Sequence, residues 1–179
     1  MWKSFQSMAP GFSAKPIRVQ QKVVDHTLRT CHAAEGRTVY DEHNRRSLGM
    51  ISDVCFSLDG RFLGFVLEQK RLFHNRHLFL EASDIKEMDQ EAVAAAEAHL
   101  QPLPKSCFTF EQIKMQPVKS PDGEMFGLLE DVYFCLDKGI IVAYELTDGF
   151  FSDLAGRRQV RRAADTLIEA GKDGIVLNG

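Results

Sequence analysis

The chain states one pattern twice. Gly49-Met50-Ile51-Ser52-Asp53-Val54-Cys55-Phe56-Ser57-Leu58-Asp59 returns as Gly127-Leu128-Leu129-Glu130-Asp131-Val132-Tyr133-Phe134-Cys135-Leu136-Asp137, 78 positions later. Beyond this block the match continues at an offset of 79, setting Phe62-Leu63-Gly64-Phe65 against Ile141-Val142-Ala143-Tyr144. Self-similarity at a fixed period means one folding unit used twice. It restricts the architecture to two similar halves, whatever each half is.

Each unit reads as β-structure. Val54, Phe56 and Leu58 alternate with Asp53, Cys55 and Ser57, and Val132, Phe134 and Leu136 alternate with Asp131, Tyr133 and Cys135. Period-2 alternation places one set on the buried face of a strand. In the next strand Leu63, Phe65 and Leu67 match Val142, Tyr144 and Leu146 on one face. Between the strands lie Asp59-Gly60 in the first copy and Asp137-Lys138-Gly139 in the second, hairpin signals because glycine accepts positive φ. The one-residue insertion falls at this turn, where a hairpin tolerates it. The expectation is a mainly β protein in which each half is a meander curling into a small barrel.

The motif Val-Tyr-Asp…Gly-x-Ile-x-Asp-Val-x-Phe…Asp-Gly…Gly-Phe-Val, running from Val39 to Val66, resembles the PRC-barrel domain, named for the photosynthetic reaction centre H subunit and shared by the C-terminal half of a ribosome maturation factor. The second copy, from Gly127 to Val160, is similar to the second barrel of the YrrD-like tandem PRC-barrel proteins of firmicute bacteria. The resemblance spans roughly residues 36–179 and implies two tandem barrels; local propensity adds short helices at the N-terminus and in the linker. The expected division is an N-terminal extension over 1–35, partly disordered, a first barrel over 36–100, a linker over 101–105 and a second barrel over 106–179.

Two stretches are read from propensity. In the extension, residues 1–16 read as a tail, Ile17–Val19 and Val23-Val24 as strand, and Asp25–Ala34 as a short helix with Asp25 as N-cap and Gly36 as stop. At the join, 89–100 is rich in Ala and Glu and predicts a helix broken by Pro102 and Pro104, although the matching Asp173–Leu177 is a good strand.

Charge and leader signals narrow the function. The 179 residues carry a formal charge of −3; residues 1–104 hold 13 Lys+Arg against 13 Asp+Glu, and residues 105–179 hold 9 against 12. Neither half has the basic excess that neutralising many phosphates requires, so RNA binding is possible but disfavoured. Met1-Trp2-Lys3 opens no continuous apolar run, and no stretch reaches the ~18 apolar residues of a membrane helix. The expected address is the cytoplasm.

The residues that could carry chemistry do not assemble in sequence. Cys31, Cys55, Cys107 and Cys135 lack the close pairs of zinc sites, and His74 and His77 lack a third ligand. Asp53 and Asp131 open equivalent strands, which points to hydrogen bonds with turn amides. No phosphate-binding glycine loop or Ser-His-Asp ordering is present. No cofactor is expected, and a non-enzymatic role follows.

Two surfaces are candidates for partner binding. Arg157, Arg158, Arg161 and Arg162 form a dense guanidinium run, and Phe150-Phe151 sit in a turn-rich setting. The resemblance implies an adaptor that docks a protein partner, with a link to RNA processing or ribosome assembly, as the maturation factor's barrel contacts a ribosomal protein. The alternatives are an accessory of a membrane electron-transfer complex, by analogy with the reaction centre, and a small-ligand-binding barrel or hydrolase. Elemental analysis of the purified chain is expected to find no stoichiometric zinc or iron. About one metal per chain would overturn that reading and make Cys31, Cys107, His74 and His77 the first suspects.

Overall fold

The computed structural model describes residues 28–147 except 71, 73–74, 90–91 and 96–98, together with 158–161, 167–171 and 174–178. Among the described residues fourteen strands form two seven-stranded sheets of the same topology. The first contains β2 (Thr38–Asp41), β3 (Ser47–Ser57), β4 (Phe62–Gln69), β5 (Arg76–Glu81), β6 (Ile85–Met88) and β7 (Ala92–Ala95), in the order β5-β4-β3-β2-β7-β6. The second repeats this with β9 (Pro117–Lys119), β10 (Met125–Cys135), β11 (Ile140–Thr147), β12 (Arg158–Arg161), β13 (Leu167–Gly171) and β14 (Gly174–Asn178). In each sheet the first and last of these strands pair in parallel toward the centre, β2 with β7 and β9 with β14, and the other ladders among the described residues are antiparallel. Among the described residues both sheets are open paths, with no ladder closing either into a barrel.

The seventh strand of each sheet comes from the other half. β1 (Leu28–Thr30) pairs with β10, and β8 (Cys107–Thr109) pairs with β3. Each runs into a four-residue helix, α1 (Cys31–Ala34) and α2 (Phe110–Ile113), whose N-caps are Thr30 and Thr109. The repeat therefore begins earlier than the sequence match suggests. Leu28–Val39 corresponds to Cys107–Val118 at an offset of 79, which then changes to 78 at the β2–β3 turn and hides the relation. Instead of a helix over 25–34 there is a strand followed by one helical turn; Asp25 and residues 1–24 lie outside the described residues. Gly36, at φ +78°, does terminate that turn.

The repeated glycines that open the motif have a steric cause. Gly49 and Gly127 have φ of +138° and +144°, and a Cβ on either would lie 2.9 Å from a carbonyl oxygen of the next strand, Glu68 or Thr147. Both strands then carry bulges at Ser52 and Glu130, and β4 and β11 carry bulges at Leu63 and Val142. A bulge switches which residues face inward. Phe62 and Ile141 consequently fill the core where alternation assigned Leu63 and Val142, which are half-buried. Leu58, also expected inside, lies in the hairpin turn at 57 % exposure. The pairs Val54/Val132, Phe56/Phe134 and Phe65/Tyr144 are all buried as expected.

The join between halves is strand, not helix. β7 aligns with β2 from Thr38↔Ala92 to Asp41↔Ala95, and Asp89 accepts the Ala92 amide proton at 2.7 Å. Val93 and Ala95 are buried, so a ladder and an apolar contact outweigh the modest helix preference of alanine.

The two halves share one core. Phe134 stacks on Phe62 with centroids 4.7 Å apart, and meets Phe56 at 5.9 Å and Phe65 at 6.3 Å. Beside this cluster the two hairpins hydrogen-bond reciprocally, Phe62 N–H to Gly139 O and Ile141 N–H to Gly60 O, both at 3.0 Å. Phe134→Ala is thus expected to cost about 3–5 kcal/mol and to lower a single cooperative unfolding transition. Two separate transitions, or an unchanged midpoint in denaturant, would contradict a shared core.

Candidate functional site

Two places concentrate polar chemistry, and the repeat generates the first. Asp131 accepts the His32 backbone N–H at 3.3 Å and the Val132 N–H at 2.8 Å; Asp53 accepts the Glu111 N–H at 3.2 Å and the Val54 N–H at 2.8 Å. Each carboxylate thus holds the first turn of the helix donated by the other half, where an N-terminus favours negative charge. The aspartates do bind backbone amides, but across the halves rather than within a local turn. The copies then diverge. His32 Nδ1 lies 3.1 Å from Asp131 Oδ2, and its ring packs edge-on against Phe110 at 5.2 Å. Lys114 Nζ lies over the same Phe110 ring, 5.6 Å from its centroid.

A His–Asp pair next to a cysteine in sequence invites a nucleophilic reading, and the electrostatics oppose it. Cys31 is fully buried, and burial first, then Asp131, Asp53 and Glu35, hold its thiol well above the ordinary range. Reactive cysteines need the reverse, an electropositive and accessible setting. Burial also raises Glu35, against the pull of Lys114 and His32. This centre joins the halves.

The second place is a groove of about 750 Å³ on the first half, along the β2–β3 turn and the end of β4. Tyr40 (37 % exposed), Met50 (36 %) and Leu48 supply its apolar part, and Arg46 and Lys70 stand at its edge. Tyr40 also lines an adjoining cleft of about 320 Å³ with Arg45 and Lys86. The turn between is tightly held. Asp41 Oδ1 accepts the amides of His43 and Asn44 at 2.8 and 3.2 Å, Asn44 Oδ1 accepts that of Arg46 at 2.9 Å, and Asp41 N–H meets Arg46 O at 2.9 Å.

Arg45 sits in this turn at φ +59°. Its counterpart in the second copy is Gly123, at φ +85°. An arginine in the left-handed region costs roughly 1–2 kcal/mol that a glycine avoids, so the turn's geometry alone does not favour an arginine here. None of the three ion pairs among the described residues uses Arg45, Arg46 or Lys70. The Asp41 carboxylate is occupied by turn amides, and Glu68 accepts from the Asn75 side chain.

The candidates chosen from sequence lie elsewhere. Phe150, Phe151, Arg157 and Arg162 are outside the described residues, as is His74. Arg158 and Arg161 lie on β12, at register positions opposite Leu146 and Ala143. His77 is exposed on β5 opposite Glu68, and among the described residues no three His, Cys, Asp or Glu side chains could hold a metal. No helix among them is long and apolar enough to cross a membrane. Tyr40, Arg45, Arg46, Met50 and Lys70 were missed. The signal was available once 41–46 is aligned with 120–124, because Arg45 then falls opposite a glycine.

Comparison with known proteins places the chain. It is 62 % identical over 169 residues to an uncharacterised Bacillus subtilis protein, YrrD, covering 93 % of this chain and 97 % of that one. The chain belongs to the YrrD family. No family model matches it. Near-complete coverage of both chains means that the paired halves belong to the family's common length rather than to an appended domain.

The exchange of helices carries its own expectation. Asp131→Ala and Asp53→Ala should each lower stability by ~0.5–2 kcal/mol through loss of an N-terminal acceptor. Asp131→Ala should cost more, since it also strands the His32 side chain. Negligible shifts in thermal melting would show that these carboxylates do not hold the helices, and equal shifts would show that the His32 contact adds nothing.

Proposed function

We propose that the protein is a non-catalytic docking module whose Tyr40 groove receives an extended, acidic segment of a protein partner. The observation that carries this reading is the strained Arg45. A side chain is kept at a position where the equivalent turn uses glycine; it lines the adjoining cleft with Lys86, while Arg46 and Lys70 line the groove with Tyr40 and Met50. Backbone strain at a surface turn supports a role for that side chain in recognition. An aromatic anchor flanked by guanidinium groups suits a peptide with an apolar residue between carboxylates.

The resemblance to tandem PRC barrels supports the same class of role, since the ribosome-maturation relative uses its barrel to contact a protein. A fold-level analogy raises the expectation without fixing the partner. The proposed setting is cytoplasmic, and the balanced charge of the first half favours a protein over bulk RNA.

Arg45→Gly separates recognition from folding. Relief of the left-handed strain offsets the extra chain entropy of glycine, so melting should stay level or rise. A partner captured by the intact chain should be weakened at least tenfold by Arg45→Gly or Tyr40→Ala, and should resist nuclease. Cross-links from the captured partner should map to the 40–50 segment. Full retention by both variants, or release by nuclease, would defeat this assignment.

A further inference from the structure

Two of the four cysteines meet on the far side of the first sheet. Cys55 on β3 lies opposite Thr109 of β8, and Cys107 lies opposite Ser57, so the two thiols share one face and are diagonal neighbours. That face is opposite to the one carrying Phe56 and Phe108, whose rings pack at a tilt, 5.9 Å apart, in the shared core. Cys55 is fully buried in a small separate cluster with Val66 and Phe79, and Cys107 packs on it half-buried. The Cys107 thiol donates to the Pro104 carbonyl at 3.0 Å. The Cys55 and Cys107 side chains also interact with each other directly.

We infer that Cys55 and Cys107 form an oxidisable dithiol that a peroxide converts to a reversible intramolecular disulfide, fastening the strand donated by the second half to the first sheet. The partly exposed Cys107 is the sulfur a small oxidant reaches. Burial raises both thiols, so the thiolate of either is a minor species and oxidation is slow; Cys107 reacts first because it is the more accessible of the two. Its thiolate attacks one peroxide oxygen. An S–O bond forms, the O–O bond breaks, and the departing oxygen takes a proton as water or an alcohol. The Cys55 sulfur then attacks the Cys107 sulfur of this sulfenic acid. The S–S bond forms, the S–O bond breaks, and the hydroxyl leaves with the Cys55 proton as water. Two thiols lose two electrons to one peroxide, and a dithiol reductant reverses the step.

Diagonal neighbours on adjacent strands stand about 7–8 Å apart, and a disulfide needs Cα atoms within roughly 4.4–6.8 Å, so β8 has to move toward β3. β8 is three residues long and follows the Pro102–Pro104 segment, so that movement falls on a short strand. Cys31 and Cys135 are buried in other parts of the fold and serve as internal controls.

The test uses the full chain with hydrogen peroxide, alkylation of remaining thiols after denaturation, and peptide mapping. Two of the four thiols should disappear, both in one cross-linked pair of peptides containing Cys55 and Cys107, and both should return with dithiothreitol. The melting midpoint of the oxidised chain should rise by about 5 °C or more, because the bond closes a long loop of the unfolded chain. In Cys55→Ser, Cys107 should be trapped as a sulfenic acid with no intramolecular disulfide. Four alkylatable thiols after peroxide, a bond involving Cys31 or Cys135, or bonds only between molecules would overturn the inference. The intact chain decides the matter even if Cys55→Ser does not fold. Its outcome is independent of the Tyr40 groove, which lies at the other end of β3 and β4.

Discussion

The structure depends on a reciprocal exchange. Each half donates a three-residue strand and one helical turn to the other, and each receives a carboxylate acceptor in return, Asp53 for the turn beginning at Phe110 and Asp131 for the one beginning at Cys31. A half of about 75 residues holds too little apolar volume to be comfortably stable alone. Exchange lets both halves build one core, with Phe134 inserted among Phe56, Phe62 and Phe65, and with the hairpin turns hydrogen-bonded across the same axis. Helices of four residues have no stability of their own. They persist here because Cys31, Ala34, Phe110 and Ile113 are buried and their first amides are accepted by the opposite half.

This arrangement explains which parts of the fold could be read from sequence. The two long strands of each unit were legible because their alternation and their glycines answer to local sterics, as at Gly49 and Gly127. Inward residues next to a bulge were misassigned, since nothing in Phe62-Leu63-Gly64 announces that the ladder slips there. The exchanged segments escaped notice for a different reason. Thr30-Cys31-His32-Ala33-Ala34 and Thr109-Phe110-Glu111-Gln112-Ile113 share only an N-cap threonine and small or apolar residues at the buried positions, so their equivalence is visible in pairing but not in letters. At 92–95 the alanines spoke for helix while the ladder with β2 demanded strand. The repeat, which supplies a strand at 174–178, was the better guide there.

The site was less legible than the fold, because a groove is made by the juxtaposition of elements distant in sequence. Tyr40, Met50 and Lys70 come together only through the β2–β3–β4 ladders. The arginine run and the paired phenylalanines were conspicuous as composition, yet local density says little about geometry. Arg45 is the instructive case. It is one charge among many in the sequence, and it becomes informative only when its φ and the glycine opposite it in the second copy are set side by side.

A duplicated unit offers an internal reference of this kind at every position. Where both copies agree, the axis, the hairpin or the shared core enforces agreement, as with Asp53 and Asp131 or Phe56 and Phe134. Where they differ without structural need, the difference points to something the fold does not require. Val66 and Glu145 occupy equivalent buried positions, and only the second copy must satisfy a carboxylate there, which it does with the Tyr133 hydroxyl at 2.8 Å. Likewise Cys55 and Cys107 stand where the second copy and the first strand have Tyr133 and Leu28, so thiol contact exists on one side of the axis alone. The first sheet therefore holds both the strained arginine and the paired thiols, one of them on the strand donated by the other half, while the contacts common to both copies maintain the shared core.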